Sequence, residues 1–313
     1  MKKILITGAS GFIGQNLIKK SLKLKYLVYG ITRKTLNFEN QSNLKFFLID
    51  NLNSKEKLNE ALKGVDCVIH CAGKTNLSTK IESFNLVNVL FTKNLAECAV
   101  NAGVKRFIFL SSIKVNGEST NKNDNIKVFN HNDKPDPKDN YAISKEEAEK
   151  LLQDIALKTG LEVVIVRLPL VYGRIVKGNL KRLIKLIQLG IPLPFKGIHN
   201  KRSLIGIDNV VDLIIRCIEH PNASGRIFLT SDGKDLSTPE LIKLIALSMG
   251  QPIKLFSIPI SLLKFFGFIF KRQNEIERLT GSLQIDINHT KKILNWSPPI
   301  SVEEGIRRIF QDK

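Results

Sequence analysis

Short apolar runs alternate with helical stretches through the first half of the chain. The runs are rich in Val, Ile, Leu and Phe and lie at residues 2–7, 26–32, 44–50, 65–70, 105–112 and 162–168. Strands with such continuous apolar character are typical of a parallel sheet that is buried on both faces. The segments between them predict helices at 12–23, 54–63, 84–102 and 141–159. Strands alternating with helices predict βαβ units in a doubly wound α/β sheet.

Glycines mark the ends of several predicted helices. Gly64, Gly103 and Gly160 each follow a helical stretch and can adopt the left-handed conformation that caps a helix. Residues 116–140 are polar and contain two prolines, which predicts a long surface loop before the helix at 141–159.

The pattern becomes less regular after residue 172. It predicts helices at 178–190, 209–220 and 238–250, the last with Thr238 as N-cap and Pro239 at the first helical position. We therefore expect a Rossmann doubly wound parallel sheet together with a smaller C-terminal α/β substrate-binding lobe. The expected boundaries are residues 1–171 plus about 204–225 for the Rossmann domain, and 172–203 and 226–313 for the lobe.

Composition indicates a soluble protein of ordinary character. Of its 313 residues, 43% are hydrophobic and 25% are charged. The sequence has no apolar run near the roughly 18–20 residues that span a bilayer, and no secretion signal near its start. The four cysteines lack the spacing of a zinc site, so we expect free thiols, no metal and a cytoplasmic location.

The formal net charge of +19 is compatible with a nucleic-acid partner, an anionic lipid surface or an anionic substrate. The lysines are spread along the chain without a cationic block or interleaved aromatic residues. This distribution argues against a nucleic-acid partner.

A glycine-rich turn follows the first predicted strand. The stretch TGASGFIG places glycines three residues apart between that strand and the first helix, where a pyrophosphate can approach the backbone and the helix N-terminus. This position predicts a dinucleotide site formed by Gly8, Ser10, Gly11, Phe12, Ile13 and Gly14.

The residues after the second strand bear on the choice of nicotinamide cofactor. An NAD enzyme usually has an acidic residue there that binds the ribose 2′-hydroxyl, but this chain has Thr32, Arg33 and Lys34. Two cations without a carboxylate favour the 2′-phosphate of NADP. We therefore expect NADP, with NAD as the alternative.

Tyr141 and Lys145 are four residues apart in a predicted helix. Their side chains would lie on one face, about one turn apart. This spacing is common in helices, so on its own it does not indicate catalysis.

A family resemblance gives this pair a role. TGASGFIG, HCAG (70–73), FLSSIKVNG (109–117), YAISK (141–145) and RLPLVYGR (167–174) occur in the order and spacing of the extended short-chain dehydrogenase/reductases. Further segments, including IPLPF and RSLIGIDNVVDLI, resemble bacterial surface-polysaccharide reductases that reduce UDP-4-keto-6-deoxy-N-acetylglucosamine at C4. UDP-hexose 4-epimerases are close relatives of this group.

The resemblance implies that Ser112, Tyr141 and Lys145 are catalytic. Lys145 would lower the pKa of Tyr141, and Tyr141 would then protonate the sugar C4 oxygen. Ser112 would hydrogen-bond the same oxygen, with Ser111 as the alternative serine.

Other roles follow from the same resemblance. Asn88 would support the active-site helix, whereas His70, which ends a buried strand, is interpreted as core packing. Further cofactor contacts are expected from Asp50, Asn51, Cys71, Ala72 and Gly73, and substrate contacts from Asn179 and Arg202.

Two departures weaken a plain epimerase interpretation. Leu170 replaces an asparagine that often holds the diphosphate, and Asn116 replaces a common tyrosine. We therefore expect NAD(P)H-dependent reduction of a UDP-4-keto-6-deoxy-N-acetylhexosamine for O-antigen or other surface polysaccharide. The alternative is an NAD-dependent UDP-hexose or UDP-N-acetylhexosamine 4-epimerase. A non-catalytic cofactor-sensing or scaffold protein is less favoured, because such proteins typically lose the tyrosine or the lysine.

Two further contacts are expected. The resemblance implies a homodimer formed through helices near 84–101 and 141–158. Residues 255–272 are strongly apolar with basic residues at their end, which indicates either a helix covering the lobe or a weak peripheral contact with the inner membrane.

Overall fold

The computed structural model describes residues 1–36, 41–51, 54–75, 80–122, 125–175 and 178–311. The predicted loop at 116–140 and both lobe segments therefore lie partly outside the described residues. The strands are β1 (Lys3–Thr7), β2 (Leu27–Thr32), β3 (Leu44–Leu48), β4 (Cys67–His70), β5 (Arg106–Ser112), β6 (Asn121–Lys122), β7 (Asn125–Ile126), β8 (Glu162–Leu168), β9 (Leu170–Tyr172), β10 (Leu204–Gly206) and β11 (Arg226–Leu229).

The helices alternate with these strands in the first half and predominate in the second. They are α1 (Phe12–Lys23), α2 (Lys55–Leu62), α3 (Ile81–Phe84), α4 (Phe91–Asn101), α5 (Asn140–Thr159), α6 (Gly178–Gln188), α7 (Ile207–Glu219), α8 (Thr238–Ser248), α9 (Ile260–Ile269), α10 (Gln273–Thr280), α11 (Asn288–Leu294) and α12 (Val302–Arg307). A π-helix, Asn85–Leu90, joins α3 to α4.

Seven parallel strands form the main sheet, in the order β3-β2-β1-β4-β5-β8-β11. All six predicted strands are present, and the doubly wound α/β fold is confirmed. Strand order reverses between β1 and β4, which is where ligands bind in sheets of this type, beyond the carboxyl ends of the strands.

Both faces of the sheet are buried, which explains the continuous apolar character of its strands. Alternate residues of β1 point to opposite faces, so that Ile4 and Ile6 pack with α1 and α7, while Leu5 packs with α2, α4 and α5. Arg106 on β5 fixes the end of α7, because its guanidinium donates to the carbonyls of Cys217 and Ile218.

The seventh strand was missed from the sequence. We expected residue 226 to begin the lobe, but β11 pairs with β8 at the edge of the main sheet. Its apolar run, RIFL, is only four residues long. Its partner β8 lies about sixty residues earlier, so no pattern in the neighbouring sequence indicates that the two strands pair. A separate apolar cluster, formed mainly by α6, α8 and α12, packs beyond the sheet. The wider division into domain and lobe stays a prediction.

The start of α8 also differs from the prediction. Ser237, rather than Thr238, is the N-cap: its side chain accepts a hydrogen bond from Glu240 N, and the Glu240 side chain bonds back in a capping box. The hydroxyl of Thr238 instead donates to the Leu279 carbonyl.

Candidate active site

The glycine turn brings the start of α1 close to the end of β4. Gly8 has a φ of +66°, and a Cβ at this position would lie 2.8 Å from Ala72 N. At Gly14 a Cβ would lie 2.3 Å from the Gly8 carbonyl oxygen, so no side chain fits between the turn and the helix. The turn therefore requires glycine at both positions.

The N-terminus of α1 is suited to an anion. Its N-cap, Gly11, has no side-chain hydrogen bond, and no acidic residue lies in the first turn. Ser10, which is exposed, and Ile13, which is half-buried, lie next to the backbone amides at the start of α1. Free backbone amides at a helix N-terminus can bind a phosphate. The ring of Phe12 packs against Gly173, where a Cβ would lie 2.7 Å from its Cζ.

Among the residues that the structure describes at the end of β2 and directly after it, 32–36, there is no carboxylate. Arg33 is exposed, and the Thr32 hydroxyl donates to the Lys34 carbonyl at 2.7 Å. Asp50 and Asn51, just beyond β3, are both exposed, and Asn51 N donates to Asp50 Oδ1 at 2.9 Å. That hydrogen bond, with Lys57 nearby, lowers the pKa of Asp50.

A chain of hydrogen bonds links the end of β1 to the π-helix. Ala72 N donates to Thr7 Oγ1, and Thr7 Oγ1 is 2.6 Å from His70 Nδ1. On the other side, His70 Nε2 is 2.8 Å from Thr92 Oγ1, whose hydroxyl donates to the Asn88 carbonyl. Burial holds the pKa of His70 well below its usual value, so His70 is a neutral structural link.

Asn88 holds the active-site helix. From the middle of the π-helix it accepts from Lys74 N at 2.8 Å and donates from Nδ2 to Ser144 Oγ on α5 at 2.9 Å. It therefore ties the segment after β4 to α5. Gly73 lies within this segment, and a Cβ there would be 3.3 Å from Lys145 Nζ. Cys71 is half-buried next to it, and burial raises the pKa of its thiol to about 12.

Tyr141 lies in the first turn of α5, whose N-cap is Asp139. Burial raises the pKa of Tyr141 to about 12, although a hydrogen bond with Ser112 acts in the opposite direction. Desolvation of the phenolate therefore dominates in the structure, and the lowering of this pKa by Lys145 stays a prediction.

Lys145 is directed toward β5. Its Nζ donates to the Leu110 carbonyl at 2.8 Å and lies 4.4 Å from the centroid of the Phe109 ring. Burial lowers the pKa of Lys145 to about 8, while the charge of Glu149, one turn further along α5, raises it.

The two serines at the end of β5 have different partners. Ser111 donates to Glu149 Oε1, which also accepts from Arg167 Nε at 3.0 Å. Ser112 accepts from Lys114 N, and its hydroxyl is close enough to Tyr141 to lower the pKa of that phenol. These contacts favour Ser112 over Ser111 as the serine that acts with Tyr141.

A buried ion pair behind the site was missed from the sequence. Arg167 Nη2 donates to Glu149 Oε2 at 2.6 Å, and Arg167 Nη1 donates to Asn116 Oδ1 at 2.9 Å. Glu149 follows Tyr141 and Lys145 at the same four-residue spacing, which is the signal that could have identified it. The side chain of Asn116 thus has hydrogen-bond partners inside the protein.

Arg202 lies in a cationic region next to the start of α5. Burial and the neighbouring charge of Arg278 lower the pKa of Arg202 to about 10, while Glu118 opposes them. Glu118 in turn pairs with Lys114, and Lys114 pairs with Asp139. The sequence analysis missed Arg278. Asn179 is half-buried in the first turn of α6, and Leu170 is 52% exposed.

Comparison with known proteins adds a family match. Residues 4–229 match the model of the NAD dependent epimerase/dehydratase family. The chain is 42% identical to a UDP-glucose 4-epimerase of Vibrio cholerae over 317 aligned residues, which cover 99% of this chain and 95% of that protein.

More distant similarities agree in fold. The chain is 25% identical to the N-acetyl-α-D-glucosaminyl-diphospho-ditrans,octacis-undecaprenol 4-epimerase of Escherichia coli O157:H7, over 89% of this chain and 81% of that protein. A crystal structure of UDP-glucuronic acid 4-epimerase from Bacillus cereus in complex with NAD superposes with a TM-score of 0.80 at 22% identity, covering 98% of this chain and 97% of that one.

Proposed function

The chain belongs to the NAD dependent epimerase/dehydratase family, and on that basis we propose that it is a UDP-sugar 4-epimerase. The observation that carries this proposal is the 42% identity to a UDP-glucose 4-epimerase along nearly the whole chain. Reduction of a 4-keto sugar, the function favoured from the sequence, has less support than this alternative. One of its grounds, the replacement at Asn116, is weakened by the buried contact of that side chain with Arg167, which gives Asn116 a structural role.

NAD is the proposed cofactor. The uncapped N-terminus of α1 and the close turn at Gly8 and Gly14 fit the diphosphate of a dinucleotide. The superposable Bacillus cereus enzyme is in complex with NAD, which supports NAD rather than the expected NADP. Arg33 and Lys34 are the residues that favour NADP, and a substitution at Arg33 tests their contribution.

The proposed reaction uses the residues at the start of α5 for proton transfer. When bound, NAD supplies reversible two-electron oxidation at the sugar C4. Tyr141 takes the proton of the C4 hydroxyl on its phenolic oxygen and later returns it. Ser112, whose hydroxyl lies close enough to Tyr141 to lower its pKa, orients the same sugar oxygen.

Lys145 is the cation that makes proton acceptance by Tyr141 feasible. A phenol with a pKa of about 12 is a poor proton acceptor at neutral pH, so a nearby positive charge has to stabilise the phenolate. Lys145 lies one turn along the same helix face and is the cation that the chain supplies there. The proposal therefore requires Lys145 to be protonated during turnover.

The nucleotide diphosphate is proposed to bind at Arg202 and Arg278. The two guanidiniums are close enough for Arg278 to lower the pKa of Arg202, and an anion between them would relieve this repulsion. Asn179 is proposed as a further substrate contact from α6.

One assay separates the two candidate functions. The purified protein is incubated with UDP-galactose or UDP-N-acetylgalactosamine, and the products are identified by proton NMR. Conversion to the corresponding C4 epimer without net cofactor consumption supports the epimerase. Stoichiometric NADPH oxidation with a UDP-4-keto-6-deoxy sugar, and no epimerisation, would instead establish the reductase that Arg33 and Lys34 favour.

The expected homodimer is a further proposal. Exposed apolar side chains at Ile81, Leu86, Leu90 and Ile143 lie on the helices through which a homodimer is expected. Light scattering during size-exclusion chromatography tests this, with twice the chain mass of 35.2 kDa as the expected result. The cytoplasmic location and a role in surface polysaccharide synthesis stay predictions.

A further inference from the structure

Helix α9 is apolar on the side that faces away from the protein. Leu263 and Gly267 pack inward, one turn apart, with Gly267 against Ile276 of α10. On the opposite side, Phe265 is 57%, Phe268 69% and Ile269 52% exposed. Further exposed apolar side chains next to them are Phe256, Ile260, Leu262, Phe266 and Phe270. A helix that is apolar all round is normally covered on every side, and large exposed apolar patches mark interaction sites.

The chain segment that forms this patch is cationic, and the acidic residue nearest to it in sequence, Glu275 of α10, is paired with Arg272. Residues 241–274 contain no aspartate or glutamate, but they contain five exposed cations: Lys243, Lys254, Lys264, Lys271 and Arg272. Neither Lys264 nor Lys271 forms an ion pair with a residue that the structure describes. An apolar aromatic surface bordered by unbalanced lysines is complementary to an anionic lipid surface.

The geometry restricts how such a helix can contact a membrane. In the described part of the chain, no helix has both the length and the apolar character needed to cross a bilayer. The ten residues of α9 extend about 15 Å, half the hydrocarbon thickness of roughly 30 Å. The helix can therefore lie in the interfacial plane but cannot span the membrane.

A second copy of the chain is a poorer occupant of the same patch. A two-fold contact is isologous, so it would place the lysines of one copy against those of the other. Like charges brought together in this way oppose association, whereas anionic headgroups attract the exposed lysines.

We propose that the surface formed by residues 254–272 docks the protein onto anionic phospholipid bilayers, with α9 in the headgroup region. This inference does not depend on the proposed catalytic function. In this arrangement the phenylalanines of α9 insert into the bilayer, and Lys264 and Lys271 contact the lipid headgroups.

Vesicle co-sedimentation of the full chain tests the proposal. The vesicles are phosphatidylcholine with or without phosphatidylglycerol, at low and at high salt. The test variants are Phe265→Ser/Phe268→Ser and Lys264→Gln/Lys271→Gln, and the matched control is Leu24→Ser/Leu48→Ser, which removes two exposed leucines from the other half of the chain. Activity toward UDP-sugars in solution and thermal melting report that each variant is folded.

The wild type and the leucine control are expected to bind phosphatidylglycerol vesicles equally. The phenylalanine variant should bind at least about tenfold more weakly, since each ring loses its insertion into apolar surroundings. The lysine variant should lose about fivefold in affinity per lysine, and high salt should weaken wild-type binding. Wild-type protein that stays in the supernatant at low salt would overturn the proposal. The proposal would also be overturned if the phenylalanine variant bound vesicles as tightly as the wild type. The same holds if the only effect of the phenylalanine substitutions were a smaller oligomer.

Discussion

Replacing Glu149 by glutamine leaves the guanidinium of Arg167 buried without its counter-charge. The pair is bidentate, with distances of 3.0 Å and 2.6 Å, and the two side chains are only 2% and 3% exposed. Breaking such a pair by removing one partner costs about 3–5 kcal/mol, because an uncompensated charge remains in a low-dielectric interior. Glutamine retains one acceptor, so we expect a loss of about 3 kcal/mol in the free energy of unfolding, measured by urea denaturation.

The same substitution has an expected effect on the pH dependence of the reaction. The charge of Glu149 raises the pKa of Lys145, against burial that lowers it to about 8. Removing this charge lowers the pKa of Lys145 further. Because Lys145 has to be protonated, kcat/KM should begin to fall with rising pH at a lower pH than in the wild type.

Two comparisons make this prediction specific. Glu303→Gln removes one partner of an exposed ion pair with Lys234 and should change stability by about 0–1 kcal/mol. The double variant Glu149→Gln/Arg167→Met, which removes both buried charges, should recover part of the lost stability. If Glu149→Gln unfolded at the same urea concentration as Glu303→Gln, with an unchanged pH profile, the reasoning about the buried pair would be refuted.

Three further predictions concern the cofactor, the proton-transfer residue and the core. Tyr141→Phe should reduce kcat by about 10²–10⁴-fold while UDP-sugar affinity measured by calorimetry stays unchanged; retained activity would exclude Tyr141 as the proton carrier. Arg33→Glu should raise the ratio of NADH to NADPH affinity, and an unchanged ratio would show that Arg33 does not contact the ribose. Stability should fall as the pH drops below about 6.5, by up to about 1.4 kcal/mol per pH unit from His70 alone, since the unfolded chain binds a proton that the buried, neutral imidazole does not. Urea denaturation at pH 7 and pH 5 measures this, and equal stabilities would contradict it.

Local sequence patterns were sufficient for the main sheet and the cofactor turn. The apolar runs of β1 to β5 and of β8 are bounded by polar residues or glycine, so their positions were predictable to within two residues. The glycine turn was predictable because Gly8 and Gly14 are required by contacts within the same turn or with the adjacent strand. The strands and the glycine turn are determined by residues close in sequence or within the repeated βαβ unit, so the sequence alone reveals them.

Features that depend on distant residues were not predictable. The Glu149–Arg167 pair joins a helix to a strand, and its connection to Asn116 is a tertiary contact. From the sequence alone, Asn116 could be interpreted only as a departure from the epimerases, because that contact was not visible. The direction of the Tyr141 pKa shift depends on burial, which the spacing of Tyr141 and Lys145 does not report. Arg278 was missed because only the fold brings it to Arg202.

The most direct test of the account is proton NMR of UDP-galactose incubated with the purified protein and NAD in D₂O. The account predicts an equilibrium mixture with UDP-glucose in which C4 keeps its original hydrogen, because Tyr141 exchanges protons only with the C4 oxygen. No conversion of this or the N-acetylated substrate, or deuterium incorporation at C4, would contradict it.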